Sequence, residues 1–373
     1  MKILLVEPFW EGSHQSWAEG WCQASRHQLS YLHLPGRHWK WRMYGGAVSL
    51  AQKFMQLPEP PDLILASDML DLTTFLSLTR QRSTGIPTAL YFHENQITYP
   101  WSPSDPDVPL RRDNQYGFLN YTSALAADAL FFNSQYHLDS FIGALPDFLR
   151  QFPDHRELEL VEGIRQKSQV LYLGMDLRAH DPGVNQSPGT PPIILWNHRW
   201  EYDKQPEPFF NCLFQLAAEG LDFQLVVLGN AYRQQPAIFE RARRELADRI
   251  LHFGFVADRA SYRQWLWRSD ILPVTAIQDF FGGSVVEAIY TKNYPLLPDR
   301  LAYPEHLPTQ WRATHLYADE ADLKQRLTVL LRDWPRIPAW EKASAALQNF
   351  VSRYDWVNLA GRYDTSFEKM MYL

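Results

Sequence analysis

The sequence contains only two cysteines among 373 residues, Cys22 and Cys212. They lie far apart and match no cysteine metal-site spacing, which excludes a disulfide framework and a cysteine-based metal site. Such scarcity is typical of a reducing compartment, and we expect a cytoplasmic protein.

Long apolar runs and an excess of positive charge are also missing. No stretch of about 18 apolar residues occurs, so the sequence predicts no membrane-spanning helix. The opening MKILLVEPFW has a short apolar run before Glu7 and predicts a first β-strand rather than a signal peptide. The formal net charge of −6 argues against nonspecific binding of nucleic acid over the whole surface, although a local basic patch is compatible with it.

Aromatic residues, in contrast, are abundant, with 14 tryptophans in the chain. Such rings usually fill hydrophobic cores, and they also line sites where sugars or bases stack.

Short apolar runs alternate with helical patterns along the chain. Those of the first half are KILLVE, QLSYLHL, DLILAS, PTALYFH, ALFFN and SQVLYL, and those of the second are IILWNH, FQLVVLG, ILHFGF, DILPVT, YPLLP and THLY. Near-continuous apolar runs between helices predict buried parallel strands. Between the two series, residues 179–192 are rich in Pro, Gly, Asn and Ser without periodicity and predict a linker.

We therefore predict an α/β protein with two facing Rossmann-like domains, residues 1–180 and 190–350, and a C-terminal segment, 351–373. The tail predicts two helices with a break near Tyr354. Ligands of open α/β sheets bind beyond the carboxyl ends of the strands, so the loops after the apolar runs are the candidate sites.

Two such loops belong to the first domain. Gly12 and Ser13, in EGSH, can present backbone N–H groups at a helix start, and a plain turn explains them equally well. His93, Glu94 and Asn95, in YFHENQ, follow an apolar strand directly, where such residues serve either as site residues or as helix caps.

The third loop, NHRWEYDK, carries Arg199 and Lys204 just after IILW. Two cations that converge on one point suit a diphosphate. The alternative is a solvated loop in which Glu201 and Asp203 are their ion-pair partners.

The fourth loop is DFFGGSVVEA, with a glycine pair between Asp279 and Glu287. Gly282, Gly283 and Ser284 begin a helical pattern, and N–H groups at a helix start receive phosphate oxygens. Glu287, one turn inside, can accept hydrogen bonds from ribose hydroxyls. Helix capping by both acids explains Asp279 adequately but not the glycine pair or Glu287.

These residues resemble the retaining nucleotide-sugar glycosyltransferases of the GT-B fold. That family carries two acids separated by seven residues around a Phe-Gly pair, preceded by an Arg and a Lys five positions apart. The first acid is usually Glu, whereas here it is Asp279, which is one methylene shorter.

The resemblance narrows over further motifs. YFHENQ, QYGF, FFNS, FPDHR, HRWEYDK, YPLLPDRLAYPE and the terminal YDWVNLAGRY look like the tRNA-queuosine α-mannosyltransferases. Those enzymes transfer mannose from GDP-mannose to the cyclopentenediol of queuosine in the anticodon of tRNA-Asp. The resemblance implies the same donor and acceptor here and a C-terminal helix that crosses back to the first domain. Because Arg199, Lys204 and the glycine-loop amides can stabilise the leaving diphosphate, we expect no metal ion, and no cofactor besides the nucleotide sugar.

The resemblance also implies roles for the loop residues. The catalytic set is His93 over the anomeric carbon, Arg199 and Lys204 on the diphosphate, and Asp279 on the sugar hydroxyls. The donor-binding set is Gly12, Ser13, Gly282, Gly283, Ser284 and Glu287.

The acceptor is expected on the first domain. GRHWKWRMYGG interleaves Arg37, Lys40 and Arg42 with Trp39 and neighbouring rings, which suits a splayed anticodon loop. The other expected acceptor residues are Glu94, Asn95, His155 and Arg156, with Arg111 and Arg112 as an extension. Alternatively, the tryptophans belong to the core and the cations are solvated.

Three rival functions remain open from the residues. A glycoside hydrolase could use Asp279 and Glu287, but it would not need the cations or the glycine turn. A non-catalytic RNA-binding module would bind tRNA independently of Glu287. Within the transferases, the alternative acceptor is a lipid or a polysaccharide. The DPD string, Asp105 to Asp107, lies in a Pro-rich loop, so we do not assign it to a metal.

Overall fold

The computed structural model describes residues 1–102, 105–110, 114–181, 191–229, 236–334 and 340–372. They divide into two compact units, Met1–Met175 with Trp356–Leu373, and Asp176–Asp355. Each unit is built around one six-stranded sheet in which every paired strand is parallel. The predicted α/β class with two Rossmann-like sheets is confirmed. Most of the predicted linker, residues 182–190, lies outside the described residues.

The twelve predicted apolar runs all form strands. They are β1 Lys2–Trp10, β2 Gln28–Pro35, β3 Leu63–Ser67, β4 Thr88–Phe92, β5 Ala129–Phe132, β6 Ser168–Val170, β7 Ile193–Trp196, β8 Gln224–Leu228, β9 Ile250–Gly254, β10 Ile271–Pro273, β11 Tyr294–Pro298 and β12 Leu316–Tyr317.

The described helices lie between the strands, except for the last three, which follow the final strand. They are α1 Gly12–Ala24, α2 Trp39–Met55, α3 Leu72–Ser83, α4 Asn114–Ala126, α5 Gln135–Arg150, α6 Leu160–Gln166, α7 Pro206–Ala218, α8 Ile238–Glu245, α9 Arg259–Arg268, α10 Gly283–Tyr290, α11 Thr309–His315, α12 Glu320–Asp333, α13 Trp340–Val351 and α14 Trp356–Lys369.

The first sheet has the strand order β2-β1-β3-β4-β5-β6. Every residue of β3, β4 and β5 is buried, because helices cover both faces of a parallel sheet. The order reverses between β1 and β3, so this is the switch point at which a ligand binds in such sheets.

The second sheet has the order β12-β11-β10-β7-β8-β9. Its central strands β7 and β10 are also fully buried. The direction of winding changes between these two strands, and the loops that follow them therefore lie beside each other at the switch point.

The C-terminal helix α14 belongs to the first unit, which confirms the predicted return of the chain. The break that precedes it is a 3₁₀ turn, Ser352–Tyr354. The hydroxyl of Tyr363 accepts a hydrogen bond from Trp17 Nε1 at 3.0 Å and donates to the Tyr172 carbonyl at 2.7 Å. Asp364 accepts hydrogen bonds from Trp21 Nε1 and from two further groups at the end of α1.

Within the described residues, no helix combines the length and the apolar character needed to cross a bilayer.

Candidate active site

The loops after β7 and β10, residues 197–205 and 274–282, lie at the switch point of the second unit. They contain Arg199, Lys204, Asp279 and Gly282, which the sequence predicts as donor-site residues. The topology therefore brings these residues to one edge of one sheet.

Lys204 is a buried cation that joins the two loops. It ends a 3₁₀ turn, Tyr202–Lys204, and its side chain is 7% exposed. Its Nζ donates to the Gln278 carbonyl at 2.6 Å and to Asp279 Oδ1 at 2.9 Å, and it lies 3.1 Å from Asp203 Oδ2. Burial lowers the pKa of Lys204, but the charges of Asp279 and Asp203 more than offset it, so the pKa is raised. Lys204 is therefore charged at neutral pH.

Arg199 is half exposed, with Nη2 3.2 Å from Glu201 Oε2. The pairs Arg199–Glu201 and Lys204–Asp203 are those of the solvated-loop alternative. However, Lys204 is buried and is also bonded to the loop after β10. Among the weaker influences, the Arg199 charge acts to lower the pKa of Lys204, so the two cations are near enough to repel each other. A bound anion would relieve that repulsion.

Asp279 lies between Lys204 and a tyrosine. Tyr303 donates its hydroxyl hydrogen bond to Asp279 Oδ2 at 2.5 Å, while Lys204 occupies Oδ1. Burial raises the pKa of the carboxyl group, but the Lys204 charge and the hydrogen bonds from Tyr303 and Lys204 act together against it, and the pKa is lowered. Asp279 is therefore an ionised acceptor, and its side chain keeps 18% of its surface exposed.

The glycine turn follows Asp279 and begins α10. Gly282 has a φ of +84°, and a Cβ on it would lie 3.2 Å from the Tyr303 ring, so the turn requires glycine. The helix begins at Gly283, as the sequence predicts. The first N–H groups of an α-helix have no intrahelical partner, and they can donate to an anion.

Two residues that the sequence analysis missed connect the loop after β7 to this turn. Asn197 Nδ2 donates to the Ser284 carbonyl at 2.7 Å, and His198 Nδ1 lies 3.1 Å from Ser284 Oγ. Burial lowers the pKa of His198 to about 4, so its imidazole is neutral. The sequence does contain a signal for Asn197 and His198, because they directly follow the apolar run of β7. His93 is predicted as a site residue on the same ground, since it directly follows β4.

Glu287 lies one turn inside α10. Tyr262 donates its hydroxyl to Glu287 Oε2 at 2.9 Å, and His180 Nε2 lies 3.6 Å from Oε1. The Glu287 side chain is 27% exposed. The carboxylate is thus held in place while part of it remains accessible to a ligand hydroxyl.

In the first unit, β1 is followed by the predicted EGSH loop. Gly12 begins α1 with a φ of +56°, and both Gly12 and Ser13 are exposed. This arrangement leaves the first N–H groups of α1 open to an anion, as the prediction requires.

His93 lies at the carboxyl end of β4, with its ring packed against those of His14, Trp17 and Tyr91. Its backbone N–H donates to Asp68 Oδ1 at 2.7 Å. Burial, together with a smaller effect of the His14 charge, holds the pKa of His93 well below its ordinary value. His93 is therefore a neutral imidazole.

His14 and Glu7 form a buried ion pair beside His93, which the sequence analysis did not identify. Glu7 is fully buried, and its Oε2 lies 3.0 Å from His14 Nδ1. Burial alone lowers the pKa of His14, but the charge and hydrogen bond of Glu7, together with the charges of Asp68 and Glu94, raise it to about 9. The site therefore contains a charged and a neutral imidazole whose ring centroids are 4.1 Å apart.

Glu7, His14 and His93 have ligand atoms close enough to share a metal ion. The two histidine rings are inclined by only 32° and face each other, and Nδ1 of His14 is bonded to Glu7. Ligands of one ion direct their lone pairs at a common point, so this geometry fits an ion pair better than a metal site.

In the predicted acceptor region, Lys40 is an enclosed cation. Its Nζ is paired with Asp105 at 2.6 Å and with Asp107, and it lies 5.2 to 5.8 Å from the ring centroids of Trp39, Trp101 and Tyr116. Its charge is therefore neutralised within the first unit. The DPD acids, which we did not assign to a metal, are the partners of this lysine.

The remaining acceptor residues differ in accessibility. Arg37 is exposed, and Arg42 donates to the Pro35 carbonyl. His155 and Arg156 are exposed on the loop before α6. Asn95 is fully buried and its Oδ1 accepts two backbone N–H groups of its own loop, while Glu94 Oε1 accepts from Gln96. Arg111 and Arg112 lie outside the described residues.

Comparisons with known proteins show the family and the fold of the chain. A family model described as the N-terminal part of tRNA-queuosine alpha-mannosyltransferase matches residues 2–175. A tRNA-queuosine alpha-mannosyltransferase of Drosophila melanogaster is 32% identical over 381 aligned residues, which cover 98% of this chain and 96% of that protein.

Solved structures share the fold at much lower identity. Sucrose-phosphate synthase of Thermosynechococcus elongatus superimposes with a TM-score of 0.72 and 13% identity, covering 100% of this chain and 99% of that one. Anabaena Alr3699/HepE in complex with UDP-glucose gives a TM-score of 0.66 and 13% identity, covering 99% of this chain and all of that one. The chain therefore belongs to the tRNA-queuosine alpha-mannosyltransferase family and is a glycosyltransferase of the GT-B fold.

Proposed function

We propose that this protein transfers mannose from GDP-mannose, with retention of the anomeric configuration, to the cyclopentenediol of queuosine in the anticodon of tRNA-Asp. The donor half of the proposal rests on one observation, which is that Lys204, Asp279 and the glycine turn converge at the switch point of the second unit. The acceptor half rests on membership of the family.

Cleavage of a sugar–diphosphate bond builds negative charge on the leaving oxygens and positive charge on the sugar ring. Arg199 and the first N–H groups of α10 are donors that can stabilise the leaving group. Lys204, whose three N–H groups are bonded within the protein, contributes its positive charge. Removal of one preorganised donor of this kind typically lowers the rate about 10²- to 10³-fold. These donors act without a metal ion, so we expect activity to persist in EDTA.

Retention follows in this proposal from attack on the same face as the departing diphosphate. The leaving phosphate accepts the proton of the acceptor hydroxyl, and no side-chain nucleophile is needed. A neutral His93 suits a position over the anomeric carbon, because a charged imidazole would repel the developing positive charge.

The lowered pKa of Asp279 excludes it as the proton-donating acid of the glycoside hydrolase alternative. A hydrolase needs one carboxylic acid with a raised pKa to protonate the leaving oxygen. The pair with Lys204 keeps Asp279 ionised instead.

The decisive experiment incubates the protein with GDP-mannose and tRNA that either contains or lacks queuosine, then weighs the released nucleosides. A gain of one hexose on queuosine alone supports the proposal. Equal labelling of both tRNAs contradicts the acceptor, and absence of transfer from every nucleotide sugar tested contradicts the reaction. Activity with another nucleotide sugar would correct the donor only.

The donor site is tested by Lys204→Met, which removes the buried ammonium. We expect kcat to fall about 10²- to 10³-fold. Lys324→Met is the matched control, because Lys324 pairs with Glu219 at 2.7 Å near the surface of the same unit. A Lys204→Met variant that folds and keeps more than about a tenth of the activity would contradict the assigned role.

A further inference from the structure

Tyr303 lies outside the set of donor-site residues, yet its hydroxyl contacts Asp279 directly. It begins a 3₁₀ turn, Tyr303–His306, shortly after β11, and it is fully buried. Its hydroxyl donates to Asp279 Oδ2 at 2.5 Å. A buried, charge-assisted bond of this kind fixes the orientation of the carboxylate.

The same 3₁₀ turn holds the residues that follow Asp279. His306 Nε2 lies 2.6 Å from the Phe281 carbonyl, and the ring of Tyr303 packs beside Gly282. Burial lowers the pKa of His306 to about 4, so the ring is neutral and can donate Nε2–H to that carbonyl. One turn therefore supports the loop from Asp279 to Gly282 at three points.

The bonds to Asp279 leave it capable of binding a ligand. Each carboxylate oxygen has two lone pairs, and the bonds from Tyr303 and Lys204 use one on each oxygen. Two lone pairs remain on a side chain that is 18% exposed. A pair of neighbouring sugar hydroxyls is a suitable ligand for them.

The length of the Asp279 side chain matters because its Oδ2 already lies 2.5 Å from the Tyr303 hydroxyl. A glutamate at this position, as in the resembling glycosyltransferases, would push one additional methylene toward the Tyr303 hydroxyl. We infer that Tyr303 is a positioning residue that holds Asp279 for the hydroxyls of the transferred sugar, and that the two side chains are matched in length. The inference rests on the proposed donor site.

The experiment compares wild type, Tyr303→Phe, Asp279→Glu and the double variant. Tyr303→Phe removes only the hydroxyl, and we expect kcat to fall roughly 10- to 100-fold, as for loss of one hydrogen bond to a charged group. Affinity for GDP should stay within about twofold, because the nucleotide does not contact Asp279 in this assignment. In Tyr303→Phe, the additional affinity for GDP-mannose over GDP should be lost, because Asp279 no longer binds the sugar hydroxyls in a fixed orientation.

The double variant tests the match in length. Asp279→Glu alone should be strongly impaired, and adding Tyr303→Phe should recover activity by about tenfold, because the hydroxyl that obstructs the longer acid is gone. Tyr317→Phe is the control. Tyr317 is a buried tyrosine of the same unit whose hydroxyl donates to the Val274 carbonyl and not to Asp279.

The outcomes separate this inference from the proposed function. If wild type neither binds GDP-mannose nor transfers mannose, the proposed function fails, and the variants are compared with the donor that does bind. If wild type is active but Tyr303→Phe keeps its preference for GDP-mannose over GDP, the positioning role is refuted. Purely additive effects in the double variant would refute the match in length.

Discussion

Replacing His14 by Gln should remove a pH-dependent stabilisation of the first unit. Glu7 is fully buried, with Oε1 accepting the Phe9 N–H at 2.8 Å and Oε2 bonded to His14. Burial opposes the charge on His14, yet Glu7 raises its pKa from 6.5 to about 9. A raised pKa means that the charged imidazole stabilises the fold fully below about pH 6.5, and that this stabilisation disappears as the pH rises through about 9.

The magnitude follows from the two pKa values. The two pKa values differ by about 2.5, and each pKa unit corresponds to about 1.4 kcal/mol, so the charged His14 in these surroundings contributes roughly 3 to 4 kcal/mol to the free energy of unfolding at low pH. Asp68 and Glu94 also face His14 and favour its charged form. The neighbouring His93 is neutral and adds no opposing charge.

Denaturant unfolding measured from about pH 6 to pH 10 gives the first test. The free energy of unfolding of wild type should exceed that of His14→Gln by roughly 3 to 4 kcal/mol near pH 6, and the difference should vanish above about pH 9. His155→Gln, which alters a histidine whose side chain is 86% exposed, is the control. A histidine NMR titration reads the charge of each imidazole directly. One imidazole signal should keep its charged form to near pH 9, and this signal should be absent from the spectrum of His14→Gln. If every imidazole titrates below about pH 7.5, the reasoning is wrong.

Two further predictions concern the donor site and the returning helix. Glu287→Gln should weaken donor binding and raise KM for the donor more than it lowers kcat. Tyr262→Phe, which removes the hydroxyl bonded to Glu287, should change KM in the same direction by a smaller factor. A dominant loss of kcat in steady-state kinetics would contradict ribose binding by Glu287. Gly20→Ala should lower the free energy of unfolding by about 1 to 3 kcal/mol, because the new Cβ would lie 2.2 Å from the Trp356 indole. Gly143→Ala is the control and should be neutral or slightly stabilising, because there is open space around its Cβ. Equal melting curves for the two variants would contradict the packing of Gly20 against Trp356.

The fold could be predicted closely from the sequence for a physical reason. Strands of a parallel sheet are covered on both faces, so they appear as continuous apolar runs that stand out from amphipathic helices. Even the two-residue β12 was visible as THLY. The strand order could not be read from these runs, because it depends on which neighbours pair across the sheet, and adjacent apolar runs are nearly equivalent as partners.

The candidate site was predicted where a residue follows its own strand, and missed where a partner comes from elsewhere in the chain. Lys204 and Asp279 were identified because each lies in a loop after an apolar run. Tyr303 was not, because it lies 24 residues after Asp279 and behind another strand. His14 was overlooked for a different reason: a histidine inside an apolar helix pattern usually belongs to the core, and only the buried Glu7 beside it indicates a charged role.

The basic and aromatic stretch around Lys40 has ion-pair partners that are distant in the sequence, and these partners change how its charge is interpreted. In the sequence, three cations interleaved with rings suggest a surface for nucleic-acid phosphates. In the structure, Lys40 is neutralised by Asp105 and Asp107, which lie 65 and 67 residues further along the chain. Arg37 and Arg42 are then the cations of this stretch that remain for phosphate contacts, and each phosphate contact adds about 0.7 to 0.9 to the salt dependence of binding. For the proposed tRNA acceptor, we therefore expect contacts on this surface to depend more on the exposed ring of Trp41 and less on charge than the sequence suggests.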